Sequence, residues 1–246
     1  MARNKKKDYA VLSKLSYLVG QGGVNDASAI RQELQRYGLG GVYDVSSDFN
    51  SSDHVTFTRD KGKHAVIAYR GTDIQNTGDL FTDAAIFFGA ERFTPRFASA
   101  LEVAERAREA YGSVDVTGHS LGGTQAMHVT KELGLESHVY NPGKGLRRFS
   151  LVDRSGPLRR LFGRENLMSE DNANVYLTGV DPISIASWRL PARTEFSRPN
   201  QWDVHGIDNF VHEPKKRKRS HPSEKAKMGR GRHKRFHPAE RHPEEK

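Results

Sequence analysis

Residues 116–123 read Val116-Thr117-Gly118-His119-Ser120-Leu121-Gly122-Gly123. They contain G-x-S-x-G, the spacing of a nucleophile elbow, in which a serine sits on a sharp strand-to-helix turn with its hydroxyl held out into a site. The flanking glycines have a physical purpose, because the turn brings backbone against strand and helix where a Cβ does not fit. So short a pattern is specific only in context. Before it, Ser113 to Thr117 has the alternation and β-branching of a strand. After it, Leu121 to Leu133 lacks proline and places Ala126, Met127, Thr130 and Leu133 on one helical face. Upstream, Thr94 to Tyr111 predicts a longer helix, with Pro95 in its first turn and Phe97, Ala100, Leu101, Ala104 and Ala107 as an apolar stripe. Helix, strand, elbow and helix follow in the order the motif needs.

With that context the chain resembles the class 3, fungal-lipase-like branch of the α/β-hydrolases. The likeness rests on Ala68-Tyr69-Arg70-Gly71-Thr72-Asp73, on Gly118 to Gly123, and on Tyr140-Asn141-Pro142-Gly143, and it runs from about Asp8 to His212. The fold class it implies is α/β, an α/β-hydrolase fold whose mainly parallel sheet is flanked by helices. The remaining segments agree. Tyr9 to Val19 and Ala27 to Tyr37 have helical spacing, and His54–Thr58 and His64–Tyr69 form a hairpin turning at Asp60-Lys61-Gly62. Strands are expected at Ser137–Tyr140 and Asn174–Thr178. Strands alternating with helices give a mainly parallel sheet covered on both faces.

A serine at its own pKa is a weak nucleophile and needs a base in reach and an acid to orient that base. In this fold the order is Ser, Asp/Glu, His, which removes His54 and His64 because they precede Ser120. His119 is expected to point elsewhere, and His128 and His138 precede any acid. Asp181 is the leading acid: it follows the strand ending at Thr178 and is held by Pro182, and it also resembles the D-P-[IV] block of class 3 lipases. Asp153 and Asp171 are weaker alternatives. For the base the choice lies between His205, in a loop entering a short apolar helix, and His212, beside Glu213 at the edge of a basic tail. His205 is preferred because its surroundings resemble the family's H-x-[IL]-x-x-[FY] ending.

The oxyanion hole needs backbone N–H donors aimed where charge develops. Leu121, following the nucleophile, supplies one, and the resemblance implies the second at Thr72. It also implies a lid at the apolar run containing Ile86, Phe87 and Phe88, although a buried helix or strand would need the same residues. No metal site or cofactor motif is found. His233, His237 and His242 are too loosely spaced to argue for one.

The net charge of +9 is unevenly placed. Residues 214–246 hold 13 Lys/Arg against 4 Asp/Glu, and the rest of the chain balances. The expectation is a hydrolase domain over residues 1–213 and a disordered basic tail over 214–246, too poor in apolar side chains to fold. Within the tail, Lys215, Lys216, Arg217, Lys218 and Arg219 read as a nuclear-import signal or a polyanion-binding run. Cysteine is absent, which excludes disulfides and thiolate chemistry. No signal-like or membrane-spanning apolar run occurs, so an intracellular, nuclear or virion-carried protein is expected. That architecture would suit a virus that carries its own lipase.

Three functions fit the residues. The first is a serine hydrolase of lipid carboxylic esters working at a membrane or lipid interface. The second is a nucleic-acid or import-receptor binding protein on an inactive hydrolase scaffold. The third is an esterase or thioesterase for soluble substrates.

Overall fold

The computed structural model describes residues 4–19, 27–71, 94–143, 172–179, 193–200, 203 and 205–212. The chain divides into two units, Met1–Pro214 and Lys215–Lys246. The second lies outside the described residues, so the expectation of a disordered tail does too.

Seven strands form one sheet in chain order: β1 Asp44–Val45, β2 His54–Arg59, β3 His64–Tyr69, β4 Ser113–His119, β5 Glu136–Tyr140, β6 Ala173–Thr178 and β7 Arg193–Ser197. The pairs β1·β2 and β2·β3 are antiparallel, whereas β3 through β7 run parallel. Register aligns the carboxyl ends, with Tyr69 opposite Gly118, His119 opposite Tyr140, and Tyr140 opposite Tyr176. The helices are α1 Lys5–Leu15, α2 Ala27–Arg36, α3 Thr94–Tyr111 and α4 Leu121–Leu133.

Strand β3 is buried at every position, the signature of a strand covered on both faces. Its alternate residues divide between two cores. Val66 and Ala68 join Tyr140, Tyr176 and the apolar side of α1 and α2, while Ala65, Ile67 and Tyr69 join Val116, Val139, Val175 and the apolar side of α3 and α4. Each large side chain so buried contributes roughly 1.5–3 kcal/mol.

The expected helix at 94–111 has those bounds, and Gly112 at φ 73° ends it. The first helix starts earlier than its apolar periodicity suggested. Asn4 accepts the Lys7 N–H at its head, and Lys5 and Lys6 reach Asp115, Glu136 and Glu195 on the sheet. Its last expected turn, Ser16–Leu18, tightens to a 3₁₀ helix. In the hairpin turn Asp60 and Lys61 share positive φ with Gly62. Both Asp60 and Lys61 are exposed, so the strain is local to the turn. No helix among the described residues is long and apolar enough to cross a membrane.

Candidate active site

The carboxyl ends of β3, β4 and β5 meet at Ser120. Strand β4 stops at His119, α4 starts at Leu121, and the single residue between them has φ 55° and ψ −124°. That conformation lies outside the right-handed basins that L-residues prefer and costs of order 1–3 kcal/mol. The surroundings explain why the chain tolerates it. A Cβ on Gly118 would strike the backbone of Gly122 and Gly123, and one on Gly122 would strike the carbonyl of Tyr69. Glycine at both positions lets strand, turn and helix close to backbone contact.

The third sequence block braces this turn. Ser120 N–H donates to the Tyr140 carbonyl at 3.1 Å, and Gly143 N–H donates to the Thr124 hydroxyl on α4 at 3.0 Å. The first block is fixed as well: Arg70 N–H donates to the Asp53 carbonyl at 2.8 Å, and its guanidinium donates to the Val19 carbonyl at 2.5 Å. A side chain at Gly71 would collide with the Tyr17 hydroxyl and the His119 carbonyl. The segment leading to Thr72 therefore runs directly beside the elbow. Leu121, first residue of α4 and buried, carries one of the first-turn N–H groups that have no acceptor within a helix.

His205 arrives from the far end of the chain and is 3% exposed. Its carbonyl accepts from His119 Nε2 at 2.7 Å and from Asn141 Nδ2 at 2.8 Å, and its ring lies 5.0 Å from the His119 ring. Ring nitrogen Nε2 is shut away from solvent. Asp203 shapes the approach, since its Oδ1 accepts the N–H groups of His205 at 3.2 Å and Gly206 at 3.0 Å. Beyond it, the 3₁₀ turn Ile207–Asn209 and Phe210 and Val211 anchor the loop in the core. His212 is exposed.

The structure thus brings Ser120, Leu121 and the backbone of His205 to one edge of the sheet. Asp181 lies outside the described residues, three positions after the end of β6, as do its alternatives Asp153 and Asp171. Thr72, the lid candidates Ile86, Phe87 and Phe88, and Lys215 to Arg219 lie outside them as well. Among the described residues no group of acidic or histidine side chains could hold a metal.

Sequence reasoning underrated three residues. His119 was expected only to point elsewhere, and its ring reaches Tyr17 and the His205 carbonyl. Asn141 stood in a quoted block without a role, and Tyr17 read only as part of an amphipathic helix. The one available signal was the company of Asn141: a polar residue between Tyr140 and Pro142 at a strand end belongs to a turn with a use.

The sequence matches the phospholipase-like family, Tle-like phospholipase domain, over residues 8–162, well over half of the chain. The chain belongs to this phospholipase-like family. The matched stretch of the phospholipase-like domain includes the elbow and ends before Asp181 and His205. No curated protein matches the chain. Among solved structures it is similar to the Rhizomucor miehei lipase propeptide complex, at 15% identity over 74% of this chain and 62% of that one, with a TM-score of 0.37. It is also similar to the Lip2 lipase from Yarrowia lipolytica, at 15% identity over 80% of this chain and 75% of that one, with a TM-score of 0.37. The chain spans less than two thirds of the length of the Rhizomucor miehei lipase chain.

Proposed function

We propose that this phospholipase-like protein hydrolyses carboxylic esters of lipids, phospholipids foremost, through Ser120, His205 and Asp181. The observation that carries the reading is the backbone of Ser120, at φ 55° and ψ −124° between a parallel strand and a helix. Packing alone gives no reason for a strained serine there, whereas a nucleophile gains a fixed position at a helix N-terminus.

In the proposed reaction Ser120 Oγ attacks the ester carbonyl carbon while His205 takes its proton. The negative charge on the carbonyl oxygen is held by the Leu121 N–H and by Thr72. The C–O bond to the alcohol then breaks as His205 returns the proton to the leaving oxygen, giving an acyl-enzyme. Water attacks the acyl carbon with His205 again as base, and the fatty acid leaves. Asp181 orients the His205 ring and stabilises its charged form. Ile86, Phe87 and Phe88 form the lid in this scheme. The run Lys215 to Arg219 serves import or polyanion binding, separate from catalysis.

The deciding experiment compares wild type with Ser120→Ala on phosphatidylcholine micelles, a triglyceride emulsion and a soluble p-nitrophenyl ester. Fatty-acid release by wild type and a loss of at least about 10³-fold in the variant are expected. A variant within tenfold of wild type removes Ser120 from the mechanism, and turnover of the soluble ester alone transfers the reading to an esterase. Removing residues 214–246 should leave soluble-ester turnover intact and abolish heparin binding, since the net positive charge of the chain goes with them. Loss of turnover on that deletion would assign the tail to the catalytic body.

A further inference from the structure

The geometry points to His119 and Asn141 as a two-donor clamp on the main-chain carbonyl of His205, set by Tyr17, that positions the His205 ring for Ser120. This rests on the proposed role of His205 as base.

A main-chain carbonyl only accepts, so the His119 nitrogen 2.7 Å from it, Nε2, must carry a proton. In a neutral ring Nδ1 is then the acceptor, and it faces the Tyr17 hydroxyl at 2.8 Å. The order of donation is therefore Tyr17 O–H to His119 Nδ1, and His119 Nε2–H to the His205 oxygen. The orientation of Asn141 follows by the same logic. Its Oδ1 accepts the Thr178 N–H at 2.9 Å, leaving Nδ2 to donate to His205 at 2.8 Å. Both lone pairs of the His205 carbonyl are thereby used.

The consequence is directional. The peptide after His205 is pinned by these two donors and by the Gly206 N–H to Asp203, and the peptide before it by the His205 N–H to Asp203. Fixing both peptide planes around a Cα fixes the Cα–Cβ direction, so only the two side-chain torsions of the imidazole remain. The donors also stand on the stiffest available support. His119 directly precedes the nucleophile, Asn141 follows the neighbouring strand, and Thr178 ends β6, three residues before Asp181. Elbow, base loop and the strand leading to the acid are thus joined through one carbonyl and one amide. Tyr17 extends the connection to the oxyanion corner, because its hydroxyl lies against Gly71.

A group that is misplaced by about 1 Å can cost on the order of 10² in rate with little effect on ground-state binding. The test measures kcat, KM and Tm on p-nitrophenyl butyrate with the full chain. His119→Leu keeps the bulk and removes the donor, and is expected to lower kcat by about 10²-fold with KM nearly unchanged. His119→Gln places an amide N–H where Nε2 stood and should restore most of that loss. Tyr17→Phe should show a smaller loss of the same kind. In a His205→Ala background, His119→Leu should cause no further loss, because a positioning residue has nothing left to position.

The clamp is overturned by an unchanged kcat in His119→Leu. Equal losses in the Leu and Gln variants, or a full additional loss in the His205→Ala background, overturn it as well. Inactive Ser120→Ala and His205→Ala beside an active His119→Leu would sink the clamp alone. Activity surviving in both Ser120→Ala and His205→Ala would sink the hydrolase reading with it.

Discussion

The two ends of strands β3, β4 and β5 bury polar groups under opposite rules. At the amino end Asp115 accepts from the Tyr9 hydroxyl at 2.5 Å, from Lys5 at 3.1 Å and from His64 Nε2 at 3.1 Å. Beside it Glu136 holds Lys5 at 2.6 Å and His138 at 3.0 Å, and His138 continues to the Tyr176 hydroxyl at 2.8 Å. At the carboxyl end the chain accepts strain instead. Among the described residues four that are not glycine have positive φ; two lie in the hairpin turn, and the others are Ser120 and Asn141, directly after β4 and β5. The amino end uses its polar groups to tie α1 to the sheet. The carboxyl end holds hydrogen-bonding groups in a geometry the backbone disfavours, which is where a chemical role pays for the cost.

Removing the central acid of the amino end should do the most damage. Burial pushes the Asp115 carboxyl up, but hydrogen bonds from His64 and Tyr9, with the charges of His64 and Lys5, hold it at about 2. Asp115→Asn removes the buried carboxylate that accepts from Tyr9, Lys5 and His64 and should cost about 2–3 kcal/mol by urea unfolding at pH 7, with soluble-ester kcat nearly unchanged. The folded value lies below the ordinary 3.8. Its stabilisation is therefore complete above that pH and is lost as pH falls from about 4 to about 2. The curves of wild type and variant should converge across that window, and parallel curves would show that the pairing is not electrostatic.

His54, opposite Tyr69 near the carboxyl end, gives a second window. Burial lowers its ring to about 4 from 6.5, only partly offset by Asp53. The unfolded chain takes up this proton first, so the stabilisation is present above pH 6.5 and is lost as pH falls toward 4, roughly 3 kcal/mol in all. His54→Gln should flatten stability between those pH values and leave the Asp115 window untouched. An unchanged slope would mean that this histidine is already charged in the fold.

The legible part of the molecule was its local chemistry. The glycines at 118 and 122 marked the elbow because a close backbone approach has no other solution, and the 94–111 helix followed from one unbroken apolar stripe. The edge strands Asp44–Val45 and Arg193–Ser197 were missed, the first for its length and the second because its side chains are largely exposed and carry no inward-outward alternation. In the site, the resemblance to the family's H-x-[IL]-x-x-[FY] ending favoured His205 over His212; His205 is buried beside His119 and Asn141, and His212 is exposed. The clamp itself was illegible. It joins positions 17, 119, 141, 178 and 205, which only the parallel register of β4, β5 and β6 brings together, through a main-chain oxygen that no residue type signals.

The smallest expected effect is a gain. If the carboxyl end stores strain for chemistry, relieving it should stabilise the protein while ending catalysis. Ser120→Gly removes the Cβ at φ 55° and ψ −124°, a conformation glycine adopts without the steric penalty of other residues. The serine is 2% exposed and makes no capping hydrogen bond through its side chain, so little packing is forfeited. Against the gain stands the extra entropy of an unfolded glycine, about 0.5–1 kcal/mol. A net stabilisation of about 1 kcal/mol is expected, read as a rise in urea midpoint at constant m-value. Ser120→Ala is the control that separates strain from the hydroxyl, because alanine keeps the Cβ and hence the strained backbone. Glycine should be the more stable of the two, with both inactive. Equal stability of the alanine and glycine variants would mean that the elbow is relaxed in its setting, and the contrast between the two ends of the sheet would then rest on the amino-end network alone.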